Sequence, residues 1–230
     1  MAGIQRSETC VLIPAYNEER NISFLAKQVM DLGFPVVVSD DGSTDNTVKE
    51  VKRLGAEVLT TDINQGKGAA LRRGFEWFLN SRFPALIMID ADGQHDPREL
   101  DLFREALDGQ SSDLIIGNRM GDPKGMPFTR RATNRFMSWV LSGIAKQRVP
   151  DTQCGYRAIG KEALRKIRLQ TTRFEIESEM ILQAARAGLK INSIPVRCVY
   201  AGEKSNIHPL RDTVRFFTFL FGYLANRKYS

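Results

Sequence analysis

Alternation is the feature that most limits how this chain can fold. Short runs of aliphatic and β-branched residues recur through the first half: Thr9 to Pro14 (TCVLIP), Phe34 to Ser39 (FPVVVS), Glu57 to Thr60, Ala85 to Ile89 (ALIMI) and Asp113 to Gly117 (DLIIG). Runs that stay apolar belong to strands covered on both faces. Between them, apolar residues recur at helical spacing. Ile22, Leu25, Val29 and Leu32 predict a helix over Glu18 to Leu32, and Val48, Val51 and Leu54 one that Gly55 ends. Leu71, Phe75 and Phe78 predict a third over Gly68 to Leu79. Pro97, tolerated in a first turn, opens a fourth that runs to Leu107. Ser43 or Thr44 is the expected cap of the second helix. Strand and helix in turn, up to about residue 117, imply right-handed βαβ units and a mostly parallel, Rossmann-like α/β sheet flanked by helices.

The second half differs. Pro123 to Pro127 is turn-rich, while Thr129 to Lys146, Phe174 to Ala187 and Leu210 to Ala225 read as helices. Lys190 to Pro195 reads as a strand, with Val196 to Tyr200 as its continuation. No internal repeat, low-complexity stretch or linker divides the chain, so one domain over 1–230 is expected.

Charge and cysteine usage narrow the partners. Lys and Arg number 33 against 27 Asp and Glu, and the formal charge of +6 suits anionic partners. Cys10, Cys154 and Cys198 are odd in number and widely spaced, which points to reduced thiols in a cytoplasmic protein and not to a disulfide framework or zinc site. Met1 to Cys10 has no signal-peptide core. Phe216 to Ala225 is the most apolar stretch and falls far short of the ~20 residues of a spanning helix.

Carboxylates gather where strands end. Glu18 follows the first strand, Asp40 and Asp41 the second, and Asp90 and Asp92 the ALIMI strand. Open α/β sheets bind ligands at the carboxyl ends of their strands, so these clusters point to one site. Asp90-Ala91-Asp92-Gly93-Gln94-His95 reads either as a turn or as oxygen ligands for Mg²⁺ or Mn²⁺. Two adjacent carboxylates repel without a cation, which favours the metal. Asp40-Asp41-Gly42-Ser43-Thr44 reads as a helix cap whose carboxylates could also accept from a base N–H or a ribose hydroxyl. Asn64-Gln65-Gly66-Lys67-Gly68 lacks the spacing of a Walker A loop and reads first as a turn into a helix. No Ser-His-Asp arrangement is visible.

In order and spacing, Pro14-Ala15-Tyr16-Asn17-Glu18, Asp40 to Asp45, Asp90 to His95, Gly117-Asn118-Arg119, Asp151-Thr152-Gln153-Cys154-Gly155-Tyr156-Arg157 and Phe174 to Glu177 resemble family 2 glycosyltransferases of the GT-A fold. Within that family they are similar to the polyprenyl-phosphate (dolichyl-phosphate) mannose or glucose synthases. The resemblance implies a mostly parallel sheet with a short antiparallel addition and a C-terminal helix. The change in character along the chain sets the expected nucleotide-sugar half over 1–120 and the acceptor half over 121–230. Pro14, Tyr16, Glu18 and Asp40 would line the donor pocket. Asp41 and Lys67 are further substrate-binding candidates, read from the residues themselves. Asp90, Asp92 and Gln94 would hold Mg²⁺ or Mn²⁺ and the diphosphate. Arg119 matches the Arg of a Gly-Ser-Arg motif, Asn118 standing where Ser is usual, and would face phosphates. Two departures stand out. The family's Arg-x-x-Gly-x-Ser-Lys pattern is replaced by Val199 to Ser205, where Lys204 could still reach the donor, and the membrane-spanning segments of many relatives are missing. The processive Gln-x-x-Arg-Trp motif is absent.

The expected reaction is inverting transfer of a hexose from GDP-mannose or a UDP-sugar, with a polyprenyl phosphate as acceptor. Asp92, Arg119 and Glu177 are the expected catalytic residues. A phosphate acceptor needs no general base, whereas a hydroxyl acceptor would call on Glu177 or Asp151. Arg130 and Arg131, on a helix with Phe136 and Trp139, are candidates for a lipid phosphate. The basic, aromatic C-terminal helix reads equally as an interfacial helix and as one packed on the sheet. The expected location is the cytoplasm, peripheral on the inner face of the membrane. Nucleic acid is not an expected partner, because the aspartate clusters would repel it. A nucleotidyltransferase is the rival, but such enzymes carry a Gly-rich loop where this chain has Ala15-Tyr16-Asn17-Glu18.

Overall fold

The computed structural model describes residues 3–109, 112–198 and 209–225, and side chains of the last helix from residue 215 onward. Its strands are β1 (Thr9–Ala15), β2 (Val36–Asp40), β3 (Glu57–Leu59), β4 (Ala85–Met88), β5 (Leu114–Asn118), β6 (Arg157–Gly160) and β7 (Ile191–Pro195). Among the described residues they form one seven-stranded sheet in the order β3-β2-β1-β4-β6-β5-β7. The pairs β1–β2, β2–β3, β1–β4 and β5–β7 are parallel. β6 is antiparallel to both of its neighbours, with Ile87 opposite Ala158 and Ala158 opposite Ile115. The short antiparallel part is therefore one strand set inside the sheet, between β4 and β5.

The apolar runs explain the sheet's centre. Every residue of β1, β2 and β4 is buried, as strands covered on both faces must be. The covering helices are α1 (Ile22–Asp31), α2 (Thr47–Arg53), α3 (Lys67–Asn80), α4 (Leu100–Asp108), α5 (Phe128–Ala145), α6 (Lys161–Arg165), α7 (Glu175–Arg186) and α8 (Pro209–Ala225). α3 lies hard against β1 because Gly74 leaves room for Leu12; a Cβ there would sit 2.5 Å from the leucine's methyl carbons. A second, smaller apolar cluster joins α5, α7 and α8 through Met137, Leu141, Leu182, Phe216, Leu220 and Tyr223. The C-terminal helix thus packs one face, while Phe221 and Leu224 stay exposed. No described helix is long and apolar enough to cross a membrane.

Local differences from the sequence expectations have physical causes. α1 starts at Ile22, because Glu18 belongs to a loop tied to the next one. α2 starts at Thr47 with Asn46 at its N-cap; Ser43 and Thr44 bond to the first loop instead. Pro97 opens a 3-10 turn, Pro97–Glu99, capped by the Asp96 carboxylate, and α4 follows from Leu100. Cys198 makes an isolated bridge to His95 and is not part of β7, while Val199 and Tyr200 lie outside the described residues. Arg157–Gly160 and Lys161–Arg165 form a strand and a helix too short for hydrophobic periodicity to mark.

Candidate active site

The loops after β1 and β2 are laced together at the carboxyl edge of the sheet. Asn17 sits at φ 55°, in the left-handed region that asparagine tolerates better than most residues. Its backbone N–H donates to Ser43 Oγ at 2.8 Å, and its Oδ1 accepts from Thr44 N at 2.8 Å. Glu18 N donates to Thr47 Oγ1, and Asn46 N donates to Glu19 Oε2. The segments Asn17-Glu18 and Ser43 to Thr47 therefore form one rim, with Tyr16 half-exposed on it and Pro14 buried beneath.

Asp40 and Asp41 sit under that rim, both buried. Asp40 Oδ2 accepts from Gly42 N and Ser43 N; Asp41 Oδ2 accepts from Gln65 N at 3.1 Å and Gly66 N at 2.6 Å. Each carboxylate keeps a buried Oδ1 with no hydrogen-bond partner. The Arg73 guanidinium stands 3.8 Å from Asp41 Oδ1, beyond hydrogen-bonding distance. Buried acceptors without donors cost about 1–3 kcal/mol each, so both oxygens gain from a ligand N–H or O–H.

Asp90 follows β4, which is separated from β2 by β1 alone. Its Oδ1 is 2.7 Å from Lys67 Nζ, and the same ammonium is 2.6 Å from Glu177 Oε1. Burial alone would raise the Asp90 carboxyl, but Lys67, and more weakly His95 and Arg119, hold it below the usual carboxylate range. Burial likewise opposes the Lys67 ammonium, and Asp90 and Glu177 outweigh it and raise its pKa. Gly155 makes room for Asp90: a Cβ there would lie 2.1 Å from Asp90 Oδ2. Asp92 Oδ1 accepts from Gln94 N at 3.0 Å, and Gln94 Oε1 lies 3.8 Å from the Cys198 sulfur.

Arg119, at the end of β5, is buried and donates through Nε and Nη2 to Asp151. Asn134 of α5 donates to the same carboxylate at 2.7 Å. Arg130 and Arg131 lie at the start of α5, partly exposed, with Arg131 5.8 Å over the Phe128 ring. Lys204 lies outside the described residues. The structure thus brings Asp40, Asp41, Lys67, Asp90 and Glu177 to one edge, with Arg119 near enough to act on Asp90 electrostatically.

Two supports went unassigned in the sequence. Arg157 is buried and donates to the carbonyls of Thr152, Cys154 and Glu177 at 2.7–2.8 Å, pinning the 152–155 segment and the start of α7 beneath Asp90. Gly68 allows α3 to touch the Thr172–Arg173 backbone, where a Cβ would meet Thr172 C at 2.6 Å. The Asp151 to Arg157 motif and the paired glycines were their only signals.

The donor set fits a hard divalent cation. Asp90, Asp92 and Gln94 offer two carboxylates and an amide oxygen, and no group of three His, Cys, Asp or Glu poised for a metal occurs among the described residues.

A parallel sheet with an inserted antiparallel strand, carrying carboxylates at the ends of β2 and β4, defines a glycosyltransferase of the GT-A class. The chain belongs to glycosyl transferase family 2, whose profile matches residues 10–168. Glycosyltransferase AglJ of Haloferax volcanii is 32% identical over 208 residues, covering 88% of this chain and 67% of that protein. The UDP-N-acetylglucosamine–dolichyl-phosphate N-acetylglucosaminyltransferase of Methanococcus voltae is 28% identical over 213 residues, covering 83% and 85%. Glucosyl-3-phosphoglycerate synthase from Mycobacterium tuberculosis, solved with Mn²⁺, uridine diphosphate and phosphoglyceric acid, superposes with a TM-score of 0.71 at 20% identity, over 94% of this chain and 76% of that one. At that identity the likeness speaks for the fold alone.

Proposed function

We propose that this protein transfers a hexose, with inversion, from GDP-mannose or a UDP-sugar to a polyprenyl phosphate, using Mg²⁺ or Mn²⁺. The observation that carries the reading is the pair of unsatisfied buried oxygens on Asp40 and Asp41, set across β1 from Asp90 and Asp92. A nucleoside offers N–H and O–H donors to the first pair. Its diphosphate then runs toward the second.

In this arrangement Pro14, Tyr16 and Glu18 flank the nucleoside, and Asp40 and Asp41 take its donors. Asp90, Asp92 and Gln94 hold the cation, and when bound it supplies Lewis-acid charge to the departing diphosphate. Lys67 and Arg119 add fixed positive charge around the same group, and Lys204, outside the described residues, is the further candidate for that role. The acceptor oxygen attacks the anomeric carbon opposite the leaving group, the glycosidic C–O bond breaks, and nucleoside diphosphate leaves. The two candidate bases are engaged: Glu177 with Lys67, and Asp151 with Arg119 and Asn134. An acceptor that is already ionised requires neither, which favours a phosphate over a hydroxyl. The relative from Methanococcus voltae, named for a dolichyl-phosphate acceptor, supports the same choice.

The 121–230 half is the proposed acceptor side. Arg130 and Arg131 open α5, a helix without an acidic residue. Phe128 and Trp139 are each 74% exposed on α5, and Phe221 is 68% exposed on α8. Phe136 links Trp139 to Phe221, lying 6.3 Å from Trp139 and 6.1 Å from Phe217, which is 6.4 Å from Phe221. A basic aromatic ridge of this kind suits an anionic bilayer surface, so the protein would work from the cytoplasm, peripheral on the inner face of the membrane. No role for nucleic acid follows from it.

The test is a panel of labelled UDP- and GDP-sugars with polyprenyl phosphate and Mn²⁺. Label in the organic phase with release of nucleoside diphosphate is the expected result. Water-soluble product would assign a hydroxyl acceptor, and released diphosphate would make the protein a nucleotidyltransferase.

A further inference from the structure

We propose that Lys67 is a resident counter-cation that holds Asp90 closed to divalent metal until a nucleotide arrives. The inference rests on the reading of Asp90 and Asp92 as metal ligands given above.

The seat of Lys67 is fixed by its neighbours. Gly66, at φ 105°, and Gly68 lie against the Thr172–Arg173 backbone, and Ala69 N donates to Thr172 O at 3.0 Å. Lys67 therefore leaves the first turn of α3 from a rigid base. Its ammonium lies 2.7 Å from Asp90 Oδ1 and 2.6 Å from Glu177 Oε1, with the Phe174 ring at 5.9 Å. The three side chains are only 16%, 22% and 8% exposed, so water screens the group poorly. A lysine here is a compact point charge. It neutralises the carboxylate that a metal would need, and it repels a second cation placed beside it.

Glu177 gives the ammonium somewhere to stay. When Asp90 turns to a metal, Lys67 can remain on Glu177, which lies on α7 and reaches the site from the opposite half of the chain. The multiply charged diphosphate offsets both cations together. Metal and nucleotide should then enter as a complex, and metal alone should bind weakly.

The experiment is a titration of the full chain with Mn²⁺, read by the electron paramagnetic resonance signal of the free ion, with and without UDP and GDP. Wild type should bind Mn²⁺ weakly alone and about tenfold or more tightly with the matching nucleotide, the scale expected from one charge a few ångströms away. Lys67→Met should bind Mn²⁺ alone about tenfold more tightly than wild type, and Lys67→Arg, which keeps the charge, should not. Glu177→Gln should move the other way, because Asp90 then holds the ammonium alone; its nucleotide-free affinity should fall several-fold. A folded Lys67→Met protein with unchanged or weaker Mn²⁺ binding overturns the proposal. If that variant does not fold, Glu177→Gln decides: unchanged or tighter binding overturns it. Asp92→Asn separates the two claims. If it leaves nucleotide-dependent Mn²⁺ binding intact, the metal assignment itself fails. If it removes that binding while Lys67→Met changes nothing, the assignment stands and only the role of Lys67 falls.

Discussion

Arg119 and Asp151 meet as a forked pair, Nε to Oδ2 at 2.8 Å and Nη2 to Oδ1 at 2.9 Å, with both side chains out of solvent. Removing one partner of such a pair leaves the other charge buried with less compensation. Asp151→Ala should destabilise the fold by about 3–5 kcal/mol, measured by urea unfolding. A change under about 1 kcal/mol, the scale of a surface pair, would show that Arg119 finds another partner.

Gly155→Ala tests the floor of the site. The added carbon would lie 2.1 Å from Asp90 Oδ2, so the carboxylate must move. A displacement near 1 Å at a positioned group costs on the order of a hundredfold in rate. We expect kcat/KM to fall by about that factor, with loss of nucleotide-dependent thermal stabilisation. Wild-type kinetics in this variant would mean that Asp90 does not need its present place.

The aromatic ridge predicts a separable membrane phenotype. Trp139→Ser with Phe221→Ser removes two exposed rings and leaves the packed residues Met137, Leu141, Phe216 and Leu220 in place. Binding to anionic vesicles that contain no polyprenyl phosphate should weaken by about tenfold or more. Nucleotide binding should stay unchanged. Equal sedimentation of the variant and the wild type with vesicles would count against the ridge.

His95 sets an acid limit on stability. Burial, helped by the Arg119 charge, pushes its imidazole down from 6.5 to about 4, and its Nδ1 has no partner. The folded group stays neutral while the unfolded chain takes up a proton. This contribution to stability is complete above pH 6.5 and is lost progressively as pH falls toward about 4. The loss should be on the order of 3 kcal/mol. Unfolding midpoints of the metal-free, nucleotide-free protein should drop across that range, and His95→Gln should flatten the slope.

Much of this architecture can be read from the chain, for identifiable reasons. β1, β2, β4 and β5 are continuous apolar runs, and the carboxylates at or just after the ends of β1, β2 and β4 point to one edge of the sheet. β6 escapes such reading because it is short, opens with the buried Arg157, and finds partners far away in sequence. Ser43 and Thr44 carry the signature of a cap, yet their partner is Asn17 from another loop. Lys67 looks like a residue in a turn because the groups that give it meaning, Glu177 and Thr172, come from the other half of the chain. Local pattern fixes elements; the site depends on contacts between elements that share no local pattern.

Both margins of the sheet discourage a newcomer. β3 has three residues, and β7 ends in Pro195, which has no N–H to give. An incoming strand would find a short rail on one side and a missing donor on the other. The strands themselves thus guard the molecule against growing, copy upon copy, into a fibril.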